Sequence, residues 1–232
     1  NYFLKQLVYG GKYMLSIARK EFVSLFKSIK SILIVLIMIA ISLGIAKILS
    51  LFGSQLSSEI GIHKTPYQLA LMLTVILTSP LFAFTLSHNI INEEVKNRTM
   101  RFLATKTTRN NILFGKFLGA LLFWITCLLI TTLLLIIYSH EFYFLELMQS
   151  IAFVSYFLGM ATLLSVFIDN TMLTNFLGIA LSIILTVLGL WSTETNRIWL
   201  KLLKYIMPYF YYCSENRAVP FVILIFTIIF LL

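Results

Sequence analysis

The sequence predicts an all-α integral membrane protein: six transmembrane helices, an N-terminal amphipathic interfacial helix, and a re-entrant outer segment before the last span. Three observations predict it. Of the 232 residues, 59% are hydrophobic and only 12% charged, and the mean hydropathy is +0.94, whereas a soluble domain carries about a quarter charged residues. The apolar residues fall in runs long enough, at about 1.5 Å per residue, to cross a hydrocarbon core of about 30 Å. The charges are gathered into the segments between those runs. A net charge of +9 would point to nucleic acid in a soluble chain. Here basic membrane-flanking segments account for it, and no nucleic-acid partner is expected.

Residues 1–30 are basic. Leu15, Ala18, Phe22, Leu25, Phe26 and Ile29 recur at helical spacing, while Lys12, Arg19, Lys20 and Lys27 fall mostly elsewhere around the helix. That pattern predicts a cytoplasmic interfacial helix, apolar side down and ammonium groups on anionic lipid; a positively charged flank that merely orients the first span accounts for it equally well. The basic region is too long for a secretory signal, and no small-residue cleavage site follows the apolar run. Residues 31–232 then form the transmembrane domain.

Ser31–Phe52 is the first span, with Lys47 near its outer end where it can snorkel, and Gly53–Pro66 a polar loop. Tyr67–Ile91 is the second span; Pro80 should kink it or break its hydrogen-bond ladder locally. Residues 92–116 carry six Lys or Arg and two Glu, the only long charged segment between hydrophobic runs. Phe117–Tyr138, Leu147–Ile168 and Asn175–Trp191 are the third, fourth and fifth spans, joined by the short polar turns Ser139–Glu146 and Asp169–Thr174. Residues 192–218 mix charge with Trp199, Tyr205, Tyr209, Phe210, Tyr211 and Tyr212 around Pro208. Such rings favour the membrane interface, so one or two short helices dipping into the outer leaflet are expected. Val219–Leu232 begins a sixth span. The chain starts at Asn1 without Met and stops inside that apolar run, so both ends are read as incomplete and the last span as truncated.

Orientation follows from the basic residues. Numbering the sides alternately, one side receives residues 1–30, 92–116 and 169–174, which hold twelve of the eighteen Lys and Arg. The positive-inside rule places that side in the cytoplasm, with the N-terminus. Gly44, Gly119, Gly159, Gly178 and Gly189, with the span hydroxyls, are assigned to helix packing.

No engine is visible in the chain. There is no G-x-x-x-x-G-K-[ST] phosphate loop, no H-E-x-x-H and no C-x-x-C. Cys127 and Cys213 fall in a span and a loop and form neither a disulfide pair nor a metal site. Charges inside the spans are nearly missing, which argues against ion-coupled transport. Glu93-Glu94-x-x-x-Arg98 resembles the E-E-x-x-x-R motif of the CAAX-protease and bacteriocin-processing family, and Phe84-x-x-x-His88 its F-x-x-x-H. In that family the motifs run in the opposite order and a further histidine follows in a later span. Here His63, His88 and His140 are scattered over both predicted sides. A membrane protein without transport activity, such as a bacteriocin-immunity or anchoring subunit, is the other alternative.

A second resemblance covers the whole layout. Glu93-Glu94, Arg98-Thr99, Phe102-Leu103-Ala104-Thr105, Thr107-Thr108-Arg109 and Ile112-Leu113-x-Gly115-Lys116 resemble the loop between spans two and three of the type-two ATP-binding-cassette (ABC) export permeases. In that family the loop reads as a Glu, a Gly-Thr pair, a Leu-Leu, a small-residue turn with Ser-Arg, and a Gly-Lys opening span three. Asn97-Arg98 stands where Gly is common. Tyr205-x-x-Pro208-Tyr209-Phe210 is similar to the family's outer Pro-aromatic segment. The resemblance implies a permease subunit without catalytic or metal-ligating residues of its own. Two separate ABC ATPase subunits would bind ATP and Mg, and a second copy or a related permease would complete the pore. It assigns ATPase docking to a coupling helix carrying Glu93, Glu94, Arg98, Thr99, Met100, Arg101, Leu103 and Arg109. Trp199, Tyr205, Pro208, Tyr209 and Phe210 would shape the exit. Met100, Leu103 and Ala104 form a small apolar ridge suited to a groove in a soluble partner. The implied substrates are peptides, drugs, lipid-linked polymers or ions; the apolar spans and short loops favour an amphipathic or hydrophobic peptide. Ile-, Lys- and Asn-rich usage points to a low-GC bacterium.

Overall fold

The computed structural model describes residues 2–60, 65–87, 108–168, 170–194, 198–214 and 216–231, and among them every regular element is helical. In chain order these are α1 (Tyr2–Lys27), α2 (Ile29–Ile60), α3 (Pro66–Ser87), α4 (Arg109–Ser139), α5 (Phe144–Phe167), α6 (Thr171–Glu194), α7 (Ile198–Ile206), α8 (Pro208–Tyr212), a 3-10 turn at Val219–Val222, and α9 (Ile223–Leu231). Five of them, α2 to α6, contain a stretch long and apolar enough to cross a membrane, and Val219–Leu231 forms a shorter apolar helix. The all-α membrane class is as the composition predicts; five spans and a shorter helix stand where six spans are expected.

Helix ends overrun the apolar runs. The polar loop expected from Gly53 is still helix to Ile60, α4 begins at Arg109 rather than Phe117, and α6 runs from Thr171 to Glu194 rather than from Asn175 to Trp191. Hydropathy marks where a helix leaves lipid, whereas caps mark where it stops. The α4 start is set by Thr108, extended at φ −71° and ψ 153°, whose side chain accepts from the Asn111 N–H; this is an N-cap by a preferred residue type. At its 31 residues α4 is roughly 46 Å long, well beyond a core of about 30 Å. Pro80 does not end α3, which continues to Ser87. Its ring removes one ladder bond, while the flanking Thr78 and Ser79 hydroxyls bond the Thr74 and Val75 carbonyls at 2.7 and 2.6 Å.

The core centres on α5, which packs against α3, α4, α6, α8 and α9. In its most apolar window 67% of residues are buried, against 22% for α2 and for α6, so α2 and α6 are the outermost spans. The buried Ser31 and Ser42 hydroxyls of α2 do not bond back along their own helix, but most buried hydroxyls do, as Thr74, Thr131 and Thr132 to carbonyls four residues earlier. An apolar environment demands this, because an unmet polar group costs several kcal/mol there, about as much as the bond itself is worth.

The helix α1 packs on α4, a contact not named from the sequence: Ala18 is buried, and the Phe26 and Phe123 rings meet edge-on at 4.9 Å. Leu15 and Ile29, the ends of the predicted stripe, stay exposed. Gly115 and Gly119 permit the approach. A Cβ at Gly115 would stand 2.8 Å from the Met14 carbonyl oxygen, and one at Gly119 2.6 Å from both the Ala18 oxygen and the Glu21 Cβ. Small residues four apart let two backbones close in this way. Gly159 and Gly178 likewise sit against Phe230 and Phe84. Gly44 does not: it is exposed, and a Cβ there would meet nothing within 4 Å. Gly119→Val should therefore destabilise the protein by about 1–3 kcal/mol through overpacking, read as a lowered thermal midpoint in detergent. Gly44→Ala should leave that midpoint unchanged or raised, and equal losses from both substitutions would disprove a tight contact between α1 and α4.

Candidate functional site

Two clusters of polar chemistry stand at opposite ends of the bundle. The first gathers where α1 meets the start of α4. Arg109 and Asn110 are exposed, Ile112 is fully buried, and no acidic residue occupies the first turn. Arg109 thus opposes the positive end of the helix dipole rather than complementing it, so helix stability does not account for its presence. Four residues beyond Ile112, Lys116 is buried, and its Nζ lies 3.9 Å from the Glu21 carboxylate of α1. The Lys116 side chain is 5% exposed and that of Glu21 22%. The pair sits between the two glycine contacts and ties α1 to the helix that residues 92–108 lead into.

Of the predicted docking set, Arg109 is described and lies exposed at this end. Glu93, Glu94, Arg98, Thr99, Met100, Arg101 and Leu103 lie outside the described residues. Lys116 was quoted only as part of the Gly-Lys that opens the third span, and Glu21 was not singled out from sequence. The available signal was the glycine spacing around a lysine, Gly115-Lys116-x-x-Gly119, at the head of an apolar run.

The second cluster is the re-entrant segment. Pro208 opens α8 at a position where its missing N–H costs nothing, and the helix then turns two rings inward. Tyr209 fills the space a side chain at Gly189 would need, meets Phe153 edge-on at 5.2 Å, and donates to the Thr186 hydroxyl at 3.0 Å. Thr186 lies eight residues short of the end of α6, about 12 Å along the axis, so the segment does dip back into the bundle. Tyr212 is buried and shares a 2.8 Å hydrogen bond with Ser150 of α5. Further out, Lys204 stands 4.5 Å above the Phe210 ring and donates to the Thr193 carbonyl at 3.4 Å. The cation–π contact ties α7 to α8, and the hydrogen bond fastens α7 to the end of α6.

The structure therefore divides the predicted exit set. Tyr205 is exposed and packs edge-on with the half-buried Phe210 at 5.7 Å. Pro208 and Tyr209 are buried anchors, and the Trp199 side chain lies outside the described residues. Tyr212 was named with the aromatic segment but not as an anchor, and Ser150 and Thr186 were missed, because nothing in the sequence says which hydroxyl in a span will face a ring from a distant segment.

Neither cluster is a catalytic constellation. Among the described residues no group of His, Cys, Asp and Glu could hold a metal. His140 caps the far end of α4 in the left-handed region, φ 56°, donating its N–H to Ile136. Glu93 and Glu94, the carboxylates of the E-E-x-x-x-R pattern, lie outside the described residues.

A family model described as "ABC-2 family transporter protein" matches residues 15–209, most of the chain, from the packed half of α1 to the inward-turned Tyr209. No curated protein sequence matches the chain. The chain belongs to the ABC-2 transporter family: it is a multi-pass transmembrane permease of an ABC transporter, and the family implies association with an ABC ATPase subunit.

Two predictions follow from the geometry. Glu21→Gln should cost more stability than Lys116→Met, because it withdraws the carboxylate from the more deeply buried charge. About 1–3 kcal/mol is expected, the buried-pair figure reduced for the partial exposure of Glu21. The double substitution should recover part of that loss, and additive losses in a double-mutant cycle would rule out coupling. At the other end, Tyr209→Phe should cost about 0.5–1.5 kcal/mol for one hydrogen bond and Tyr209→Ala about 3–5 kcal/mol for the cavity, measured by chemical unfolding in micelles.

Proposed function

We propose that this chain is the permease subunit of an ABC exporter in a bacterial cell membrane, with its N-terminus in the cytoplasm. Two such subunits, identical or paired with a related permease, would form the path. Two ATPase subunits would supply ATP hydrolysis with Mg, the permease itself having no catalytic or cofactor-binding role. The ATPase docks on residues 93–109, and its ATP-driven closure moves that segment. The observation that carries this reading is the contact between α1 and the start of α4, with Glu21 against Lys116 at 3.9 Å. A displacement of the segment leading into Arg109 is delivered to a helix that is already clamped to α1, so both move as a unit against the remaining spans. Such a unit can rock, as interfaces between rigid packed elements do.

The aromatic segment at the opposite end shapes the exit, with Tyr205 and Phe210 outward and Tyr209 holding the segment in place. The cargo class favoured by these apolar spans is an amphipathic or hydrophobic peptide. Charge reversal at Glu93 and Glu94 tests the docking surface. In reconstituted membranes containing the ATPase, Glu93→Lys with Glu94→Lys should abolish permease-stimulated ATP hydrolysis while membrane insertion stays normal; undiminished stimulation would refute docking there. Co-purification of the full chain from membranes, with and without ATP, tests the partner itself.

A further inference from the structure

The helix α1 has a second face that the packing on α4 does not use. Lys12, Arg19, Lys20 and Lys27 follow one another at spacings of seven, eight and fifteen residues from the first, which places them in one stripe along a 3.6-residue helix. All four are exposed, and among the described residues none of them meets a carboxylate. The one acidic residue between Gly11 and Lys30, Glu21, is turned to the other face, toward Lys116. Tyr13 and Val23, also exposed, lie along the same stripe. The stripe ends at Lys27, and two residues later Ile29 begins α2, a span. Its C-terminal end is thus pinned where the chain enters the bilayer, and the exposed Lys30 continues the charge there.

We propose that this basic face of α1 binds the anionic phospholipid headgroups of the bilayer that the chain spans. An amphipathic helix ordinarily holds a membrane by burying its apolar face. That face is occupied here, so attachment rests on ammonium and guanidinium groups against phosphate, with a tyrosine of the kind found at the headgroup level. Binding of this origin is selective for negative lipid and is screened by salt over about 8 Å at physiological ionic strength. The proposal concerns the lipid contact alone and holds whichever way cargo moves.

The test uses the full chain purified in micelles of mixed phosphatidylglycerol and phosphatidylcholine, followed by quantification of the lipids retained. Wild-type protein should enrich phosphatidylglycerol, and the enrichment should fall several-fold between 0.1 M and 1 M salt, concentrations on either side of the screening regime. The quadruple variant K12Q/R19Q/K20Q/K27Q should lose the enrichment by about tenfold or more, each cation being worth on the order of fivefold. Its thermal midpoint in pure phosphatidylcholine should match the wild type, since none of the four side chains packs in the core. Should it not fold, the pairs K12Q/R19Q and K20Q/K27Q should each give an intermediate loss. Equal phosphatidylglycerol retention by wild type and variants, or enrichment indifferent to salt, would overturn the proposal. So would unchanged retention with loss of the co-purified ATPase, which would assign the face to an acidic protein surface instead.

Discussion

The contact between α1 and α4 is the constraint on which the functional half of the molecule depends. Two absent side chains, at Gly115 and Gly119, let the backbones approach closely enough that a lysine six residues beyond the exposed Asn110 is buried beside a glutamate. Neither charge would be tolerable there alone, since the cost of removing an ion from water exceeds what one contact repays. The glycines and the ion pair require each other. A bulkier residue at either glycine would hold the helices apart and open the pair to water, while loss of the Glu21 charge would take away a carboxylate that lies 3.9 Å from the buried Lys116 ammonium. What leads into the start of α4 is therefore mechanically connected to the N-terminal helix.

The opposite end is fastened by different physics. There hydroxyls from α8 reach partners on α5 and α6, with Tyr212 on Ser150 and Tyr209 on Thr186, and rings meet edge-to-face around Phe153. Neutral hydrogen bonds and quadrupole contacts are individually modest, but they demand little desolvation. One end is thus held by a buried lysine beside a carboxylate, and the other mainly by neutral contacts, with Lys204 on the Phe210 ring the charged exception.

Much of this was legible in the sequence, and what was not has a common cause. Apolar runs located the spans, and aromatic residues around Pro208 marked the re-entrant segment, because length and burial of backbone polar groups leave few alternatives in a bilayer. The ends of α2, α4 and α6 were displaced because hydropathy says nothing about caps. The contact of α1 with α4 was not foreseen for a deeper reason: a periodic apolar stripe states that a helix must cover one side, not what covers it. Gly115 and Gly119 carried that information, at a spacing that reads equally as ordinary span composition. Gly44, with the same composition signal, has no partner within the chain. The segment proposed for docking was singled out by its charges and its resemblance, and of its named residues only Arg109 falls within the described residues.

The α1–α4 contact also has a consequence in time. The residues of α1 that pack on Gly115 and Gly119 are synthesised about a hundred residues before them, which at roughly 5–20 residues per second is an interval of about 5–20 s. Throughout that interval the apolar face of α1 has no protein to cover it, and the surface it meets is lipid. An apolar face resting on lipid therefore describes the nascent chain, and an apolar face clamped on α4 describes the finished one. The third span, on emerging, must take that face of α1 from lipid, while the basic face is left where it was.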